Sequence, residues 1–227
     1  MELRDKNGLT EQEFLAQYNP GNYPRPSVTV DMVIFSIADT PDDNFDLKLL
    51  LIRRGGHPYL GSWALPGGFV DPTETVGQAA QRELLEETGV ESGCLEQLYT
   101  FSDPGRDPRT WVISCAHMAL VDSKSLHLCS GDDASDAKWF RLTYELLNDE
   151  QTRSNKYQII LDAEDISLTA IVAEQINHYA SEFKIIENNG LAFDHAKIIA
   201  SAIQRLRSKV EYNDLGLNPL DQSEKTK

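Results

Sequence analysis

No stretch of the 227 residues approaches the roughly 18 consecutive apolar residues that mark a membrane-spanning helix. The opening segment, MELRDKNGLTEQEF, is polar and lacks the apolar core of a signal peptide. Cysteine is scarce: Cys94, Cys115 and Cys129 are an odd number without a C-x-x-C pair. That count and spacing read as reduced thiols in a cytoplasmic protein, each otherwise a small buried apolar residue. The five histidines share no spacing that would make a zinc site. Positive charge is also thin, with 21 Lys and Arg against 36 Asp and Glu and a formal net charge of −15. A nucleic-acid surface would normally carry a basic patch, so the balance argues against one. Apolar residues make up 41% of the chain, enough to build a core.

What the chain has is concentrated in one segment of 23 residues, Gly68 to Val90, GFVDPTETVGQAAQRELLEETGV. From about Glu74 to Thr88 it holds no proline and is rich in good helix formers. Asp71 and Glu74 suit a helix start and Gly89 a stop. Val76, Ala79, Ala80 and Leu84 form an apolar stripe. Glu83, Glu86 and Glu87 stand at i, i+3 and i+4, which sets three carboxylates on one side of one helix turn. On a solvated helix such a triple is mildly repulsive. As hard oxygen donors, the same three suit Mg²⁺ or Mn²⁺, with phosphates and waters completing the shell. Gly67 and Gly68 permit a sharp turn and close approach to a ligand.

The spacing of Gly68, Glu74, Arg82, Glu83, Leu84, Glu86, Glu87, Gly89 and Val90 resembles the signature box of the Nudix hydrolases, which cleave nucleoside diphosphates linked to another group. The resemblance implies Mg²⁺ or Mn²⁺ held by Glu83, Glu86 and Glu87, with the Gly68 carbonyl as a further ligand. It implies that Arg82 braces loop and helix, with Glu74 as its partner. The phrases SDPGRDPR (102–109) and LAFDHAKII (191–199) resemble a Nudix subgroup that includes regulators of NAD and sugar metabolism. In those regulators the domain senses ADP-ribose or a related ligand and a winged helix follows. Two readings therefore stand: hydrolysis of a nucleoside diphosphate, first of all ADP-ribose, and ligand sensing without hydrolysis. The intact box, the net acidic charge from residue 143 onward and the 15 residues after Tyr212 favour the enzyme and lead us to expect no direct DNA binding. The subgroup resemblance also implies a homodimer.

The chain divides into an N-terminal arm (1–27), a catalytic domain (28–150), a C-terminal α/β extension (151–212) and a tail (213–227). Thr10 and Glu13 have capping-box spacing for a short first helix. Strands are expected at Ser27–Ile37, Lys48–Arg54, Leu95–Phe101, Trp111–Val121 and Ala137–Arg141, with a second domain helix near Leu142–Asn148. This pattern suits an α/β/α sandwich with a mixed sheet, the fold the resemblance also implies. In the extension, Tyr157–Leu161 reads as a strand. Residues 166–178 fit either strand or helix. Phe193–Tyr212 reads as an amphipathic helix capped by Asp194, whose stripe of Ile198, Ile199, Ile203, Leu206 and Val210 must be covered by the domain or by a second subunit.

Arg53, Arg54, Arg106 and Arg109 are candidates for substrate binding, since guanidinium forks suit phosphates. Solvated strand-end and turn charges are the competing reading. Asp132, Asp133 and Asp136 lie in a loop of the kind that supplies the general base in several Nudix enzymes, and equally form a turn cluster. Trp63, Tyr99, Phe101 and Trp111 could stack on an adenine or fill the core.

Overall fold

The computed structural model describes residues 2–39, 45–89, 95–121, 134–147, 155–176 and 181–214. A short helix α1 (Glu11–Gln17) opens the chain. The strands are β1 (Ser27–Asp39), β2 (Phe45–Arg54), β3 (Trp63–Ala64), β4 (Gly67–Phe69), β5 (Leu95–Phe101), β6 (Val112–Val121), β7 (Ala134–Leu147), β8 (Lys156–Ala163), β9 (Ile166–Ile176) and β10 (Ser181–Asn189). Two longer helices are α2 (Val76–Thr88) and α3 (His195–Asp214). The strands join one sheet in the order β10-β9-β8-β7-β2-β1-β6-β5, with β3 on β2 and β4 on β1. The β1–β6 pair is parallel and the other pairs of named strands are antiparallel, so the sheet is mixed.

Alternation along β1 decides the layers. Val30, Met32 and Ile34, with Leu50, face Ala79, Ala80 and Leu84 of α2. Val33 and Phe35, with Leu49 and Leu51, belong to the opposite core, which α3 completes with Ile198, Ile199, Ala202 and Ile203. The result is an α/β/α sandwich. The starts of α1 and α2 are set by local chemistry. Thr10 and Glu13 form the expected capping box on α1. On α2 the box is made by Thr75 and Gln78, and Gly89 closes the helix in the left-handed region at φ 70°.

Two local expectations are overturned, and one that the sequence left open is decided. Residues 142–147 continue β7 as a strand, paired from Arg141–Asp162 to Leu147–Lys156 with β8. The good helix formers there yield to a partner strand, and Tyr144 stacks on Tyr157 with ring centroids 4.8 Å apart. Residues 166–176 are a strand as well, paired on both sides by β8 and β10. Asp194 precedes α3 and its main-chain oxygen accepts from Lys197 N at 2.9 Å, but its carboxylate is turned to Arg106 instead of capping the helix. The stripe on α3 is buried against the chain's own sheet at Ile198, Ile199 and Ile203, with Leu206 packed beside them, so it requires no second subunit to cover it. No described helix is long and apolar enough to cross a membrane.

Candidate active site

The loop between β3 and α2 brings the glycines against the box helix. At Gly67 φ is 151° and a Cβ would collide with the Val30 carbonyl. At Gly68 a Cβ would collide with the Glu83 carboxylate. Only glycine lets the β4 backbone lie directly on that carboxylate. Across the gap, Arg82 works as a fork. Its Nε and Nη2 donate to the two oxygens of Glu74 at 3.2 and 2.8 Å, and Nη2 also donates to the Phe69 carbonyl at 3.2 Å. Its Nη1 donates to Glu83 at 2.7 Å and to Glu86 at 3.3 Å. One guanidinium thus ties β4, the helix entry and two box carboxylates together.

The three glutamates differ in environment. Glu86 is exposed, whereas Glu83 and Glu87 are buried. Burial raises the Glu83 carboxyl, and the bond from Arg82 offsets this only in part. Arg82 holds Glu74 below the usual carboxylate range. Glu87 is 6% exposed and its Oε2 has no hydrogen-bond partner. Burial first, then the charges of Glu83 and Glu86, push its carboxyl up to about 7. A buried acid without a partner oxygen or proton is costly. An unpartnered Glu87 oxygen, the neighbouring Glu83 carboxylate and the Gly68 backbone that lies on that carboxylate supply only oxygen donors, the chemistry that fits a hard divalent cation. Among the described residues no three acidic, histidine or cysteine side chains already converge as a cluster, and Arg82 Nη1 is bonded to both Glu83 and Glu86.

The four candidate arginines differ in their hydrogen-bond partners. Arg53 donates to the Gly61 carbonyl at 3.3 Å and Arg54 to the Pro58 carbonyl at 2.7 Å, so both brace the loop that follows β2. Arg106 does not present its head to solvent as a phosphate clamp would: its side chain is 5% exposed and its guanidinium is held by Asp194, at 3.0 and 2.7 Å, and by Asp31 at 3.2 Å. An arginine inside the fold needs such partners, and here it ties the 102–109 loop to β1 and to the start of α3. Arg109 is partly exposed, paired with Asp107, and lies 5.3 Å from the Phe69 ring centroid and 5.8 Å from that of Phe193. Asp132 and Asp133 lie outside the described residues, while Asp136 stands opposite Arg53 in the β2–β7 register. Of the aromatic candidates, Trp63 and Phe101 are core, and Tyr99 and Trp111 are exposed.

Sequence reasoning passed over Asp31, Ser114 and His195. Ser114 Oγ donates to Asp31 at 2.6 Å, and the Leu65 amide donates to His195 Nδ1 at 2.8 Å, with His195 Nε2 3.6 Å from Asp31. Burial keeps His195 below the usual histidine range despite Asp31. The signal available was the acid in the apolar run SVTVDMVIF, which a buried strand tolerates only with partners. Nothing local announced His195 as the contact to the strand leading into Gly67.

Comparison with known proteins bears on this geometry. The family model described as NUDIX domain matches residues 28–162. The chain is 33% identical over 218 residues to the ADPR responsive transcriptional repressor NtrR of Acinetobacter baylyi, covering 93% of this chain and 67% of that protein. It is 42% identical over 120 residues to an ADP-ribose pyrophosphatase of Methanocaldococcus jannaschii, covering 53% of this chain and 64% of that protein. About a third of each relative therefore lies outside the match. The crystallised NUDIX domain of Shewanella oneidensis NrtR, complexed with ADP ribose, superposes with a TM-score of 0.59 at 30% identity, over 87% of this chain and 99% of that one. With the box glutamates, the glycine loop and the sandwich all in place, the chain belongs to the Nudix family.

Proposed function

We propose that the chain is a Mg²⁺- or Mn²⁺-dependent pyrophosphatase acting on a nucleoside diphosphate linked to another moiety, with ADP-ribose as substrate and AMP and ribose 5-phosphate as products. The observation that carries the reading is the buried, unpartnered Oε2 of Glu87 beside the Gly68–Glu83 contact. An acid kept in that state costs stability unless a cation or donor meets it, and the oxygen donors around it suit a hard cation.

Glu83, Glu86, Glu87 and the Gly68 carbonyl would hold the metal. When bound, the metal supplies positive charge that stabilises the diphosphate oxygens as the anhydride bond breaks. Arg82 holds the glycine loop and the box helix at a fixed distance through Glu74 and the Phe69 carbonyl. Arg54 and Arg109 bind the substrate through charge and stacking. Asp132 and Asp133 are the candidates to take a proton from the attacking water, which delivers its oxygen to one phosphorus while the bridging oxygen leaves with the other. Resemblance to the subgroup favours a homodimer, and the acidic chain is expected not to bind DNA directly.

A second reading has its own support. The match to the repressor runs over 93% of this chain, which favours a non-hydrolytic, ADP-ribose-sensing regulator of transcription. Incubation of the purified chain with ADP-ribose and Mg²⁺, with chromatographic detection of AMP, separates the two. Product formation supports the hydrolase; tight ADP-ribose binding without product supports the sensor. NADH, sugar nucleotides and oxidised nucleoside triphosphates complete the substrate panel.

A further inference from the structure

Beside Phe69, the residue that follows the two glycines of β4, five side chains form a cluster of rings and guanidinium groups. The Arg109 guanidinium is shared by two rings, 5.3 Å from the Phe69 centroid and 5.8 Å from that of Phe193. Arg54 lies over the same Phe193 ring at 5.0 Å, and Tyr59 meets that ring with centroids 4.7 Å apart. These residues come from four separate stretches of chain: the end of β2 with the loop after it, β4, the 102–109 loop and the turn before α3. The arrangement is rigidly built. Phe193 and Tyr59 hold φ of 50° and 61°, a region L side chains rarely adopt and keep only where their surroundings impose it. Arg109 donates from Nε and Nη2 to the Asp107 carboxylate at 3.0 and 2.7 Å, which fixes its guanidinium.

A stack that served only to dock α3 would bury its rings. Here the end rings stay in water: Phe69 is 49% exposed and Tyr59 41%. Exposed aromatic faces backed by guanidinium groups are what the π-face of a nucleobase recognises. Phe69 is the end nearer the chemistry. It follows Gly68 directly in β4, and its carbonyl accepts from Arg82, which in turn grips Glu83.

We infer that the exposed ring of Phe69, backed by Arg109 and Phe193, stacks on the nucleobase of the substrate, so that the site selects nucleotides over phosphorylated sugars that lack a base. The inference rests on the reading of this site as one for nucleoside diphosphate derivatives, but its test needs no turnover. Calorimetry in EDTA compares AMP with ribose 5-phosphate on the full chain. AMP is expected to bind at least about ten-fold tighter, in line with the strength of base–aromatic stacking. Phe69→Leu is expected to remove about ten-fold in AMP affinity while leaving ribose 5-phosphate binding and the thermal midpoint unchanged. Phe69→Tyr, which keeps the ring, is expected to restore AMP binding and serves as the check should the leucine variant fold poorly. Equal binding of the two probes, absence of AMP binding at millimolar concentration, loss on Phe69→Tyr equal to that on Phe69→Leu, or loss confined to Tyr59→Leu would each overturn the assignment. Failure to hydrolyse ADP-ribose with Mg²⁺ would refute the pyrophosphatase reading and leave this one standing.

Discussion

Replacing Glu87 by Gln should stabilise the metal-free protein while destroying its activity, and the stabilisation should depend on pH. The carboxyl rises from 4.5 to about 7 on folding because it is buried beside Glu83 and Glu86. A folded pKa above the unfolded one means that the native state binds the proton more tightly. The cost is therefore absent below about pH 4.5, grows as pH climbs through the interval, and is complete above about pH 7, where it amounts to about 3 kcal/mol. Glutamine removes this ionisation cost and brings a buried amide that costs about 1–3 kcal/mol if left unpaired. The net sign at high pH favours the variant, and the trend with pH is independent of the amide's own cost. Between about pH 8 and pH 5.5 the advantage of Glu87→Gln over wild type should shrink by about 2 kcal/mol, or roughly 4–8 °C in midpoint for a chain of this size. Calorimetric melts of both proteins in EDTA measure it. Saturating Mg²⁺ should reverse the ranking, since ligand at about 100 times its Kd adds about 2.7 kcal/mol to a protein that binds it. A difference that does not change with pH in EDTA, or an equal gain from Mg²⁺ in both proteins, would refute the placement of a buried, metal-directed acid at Glu87.

Other consequences are more briefly stated. Chelation should abolish release of AMP from ADP-ribose, and added Mg²⁺ or Mn²⁺ should restore it; turnover that survives exhaustive chelation would sink the mechanism. Arg106→Ala strands Asp31 and Asp194 without their cation and should lower stability by about 3–5 kcal/mol in urea unfolding, so a change under about 1 kcal/mol would show that the triad is weak. Light scattering at micromolar concentration is expected to give twice the 25.5 kDa chain mass, and a monomer would refute the dimer. In a gel shift with duplex DNA the acidic chain should bind no tighter than roughly 10⁻⁴ to 10⁻⁶ M at physiological salt; a sequence-specific, ADP-ribose-sensitive shift at nanomolar protein would favour the regulator.

The carboxylate triple was legible in the sequence because everything that gathers it is local. Helix periodicity alone puts Glu83, Glu86 and Glu87 on one side of one turn, and Gly89 ends that helix by its own freedom at positive φ. The Thr10–Glu13 box and the alternation of β1 are of the same kind: the partners lie within a few residues, and side-chain period fixes which face they share. What only the tertiary structure decided depends on partners far away in the chain. Residues 142–147 became a strand because β8 was there to pair with them. Arg106, a plausible phosphate clamp in its own loop, is spent on Asp194, 88 residues on, and on Asp31, 75 residues back. His195 reaches across 130 residues to the Leu65 amide, and Phe193 gathers Arg54, Tyr59 and Arg109 around one ring. Sequence spacing cannot register such neighbours, because burial and charge pairing act on distances that exist only once the sheet has brought those segments together.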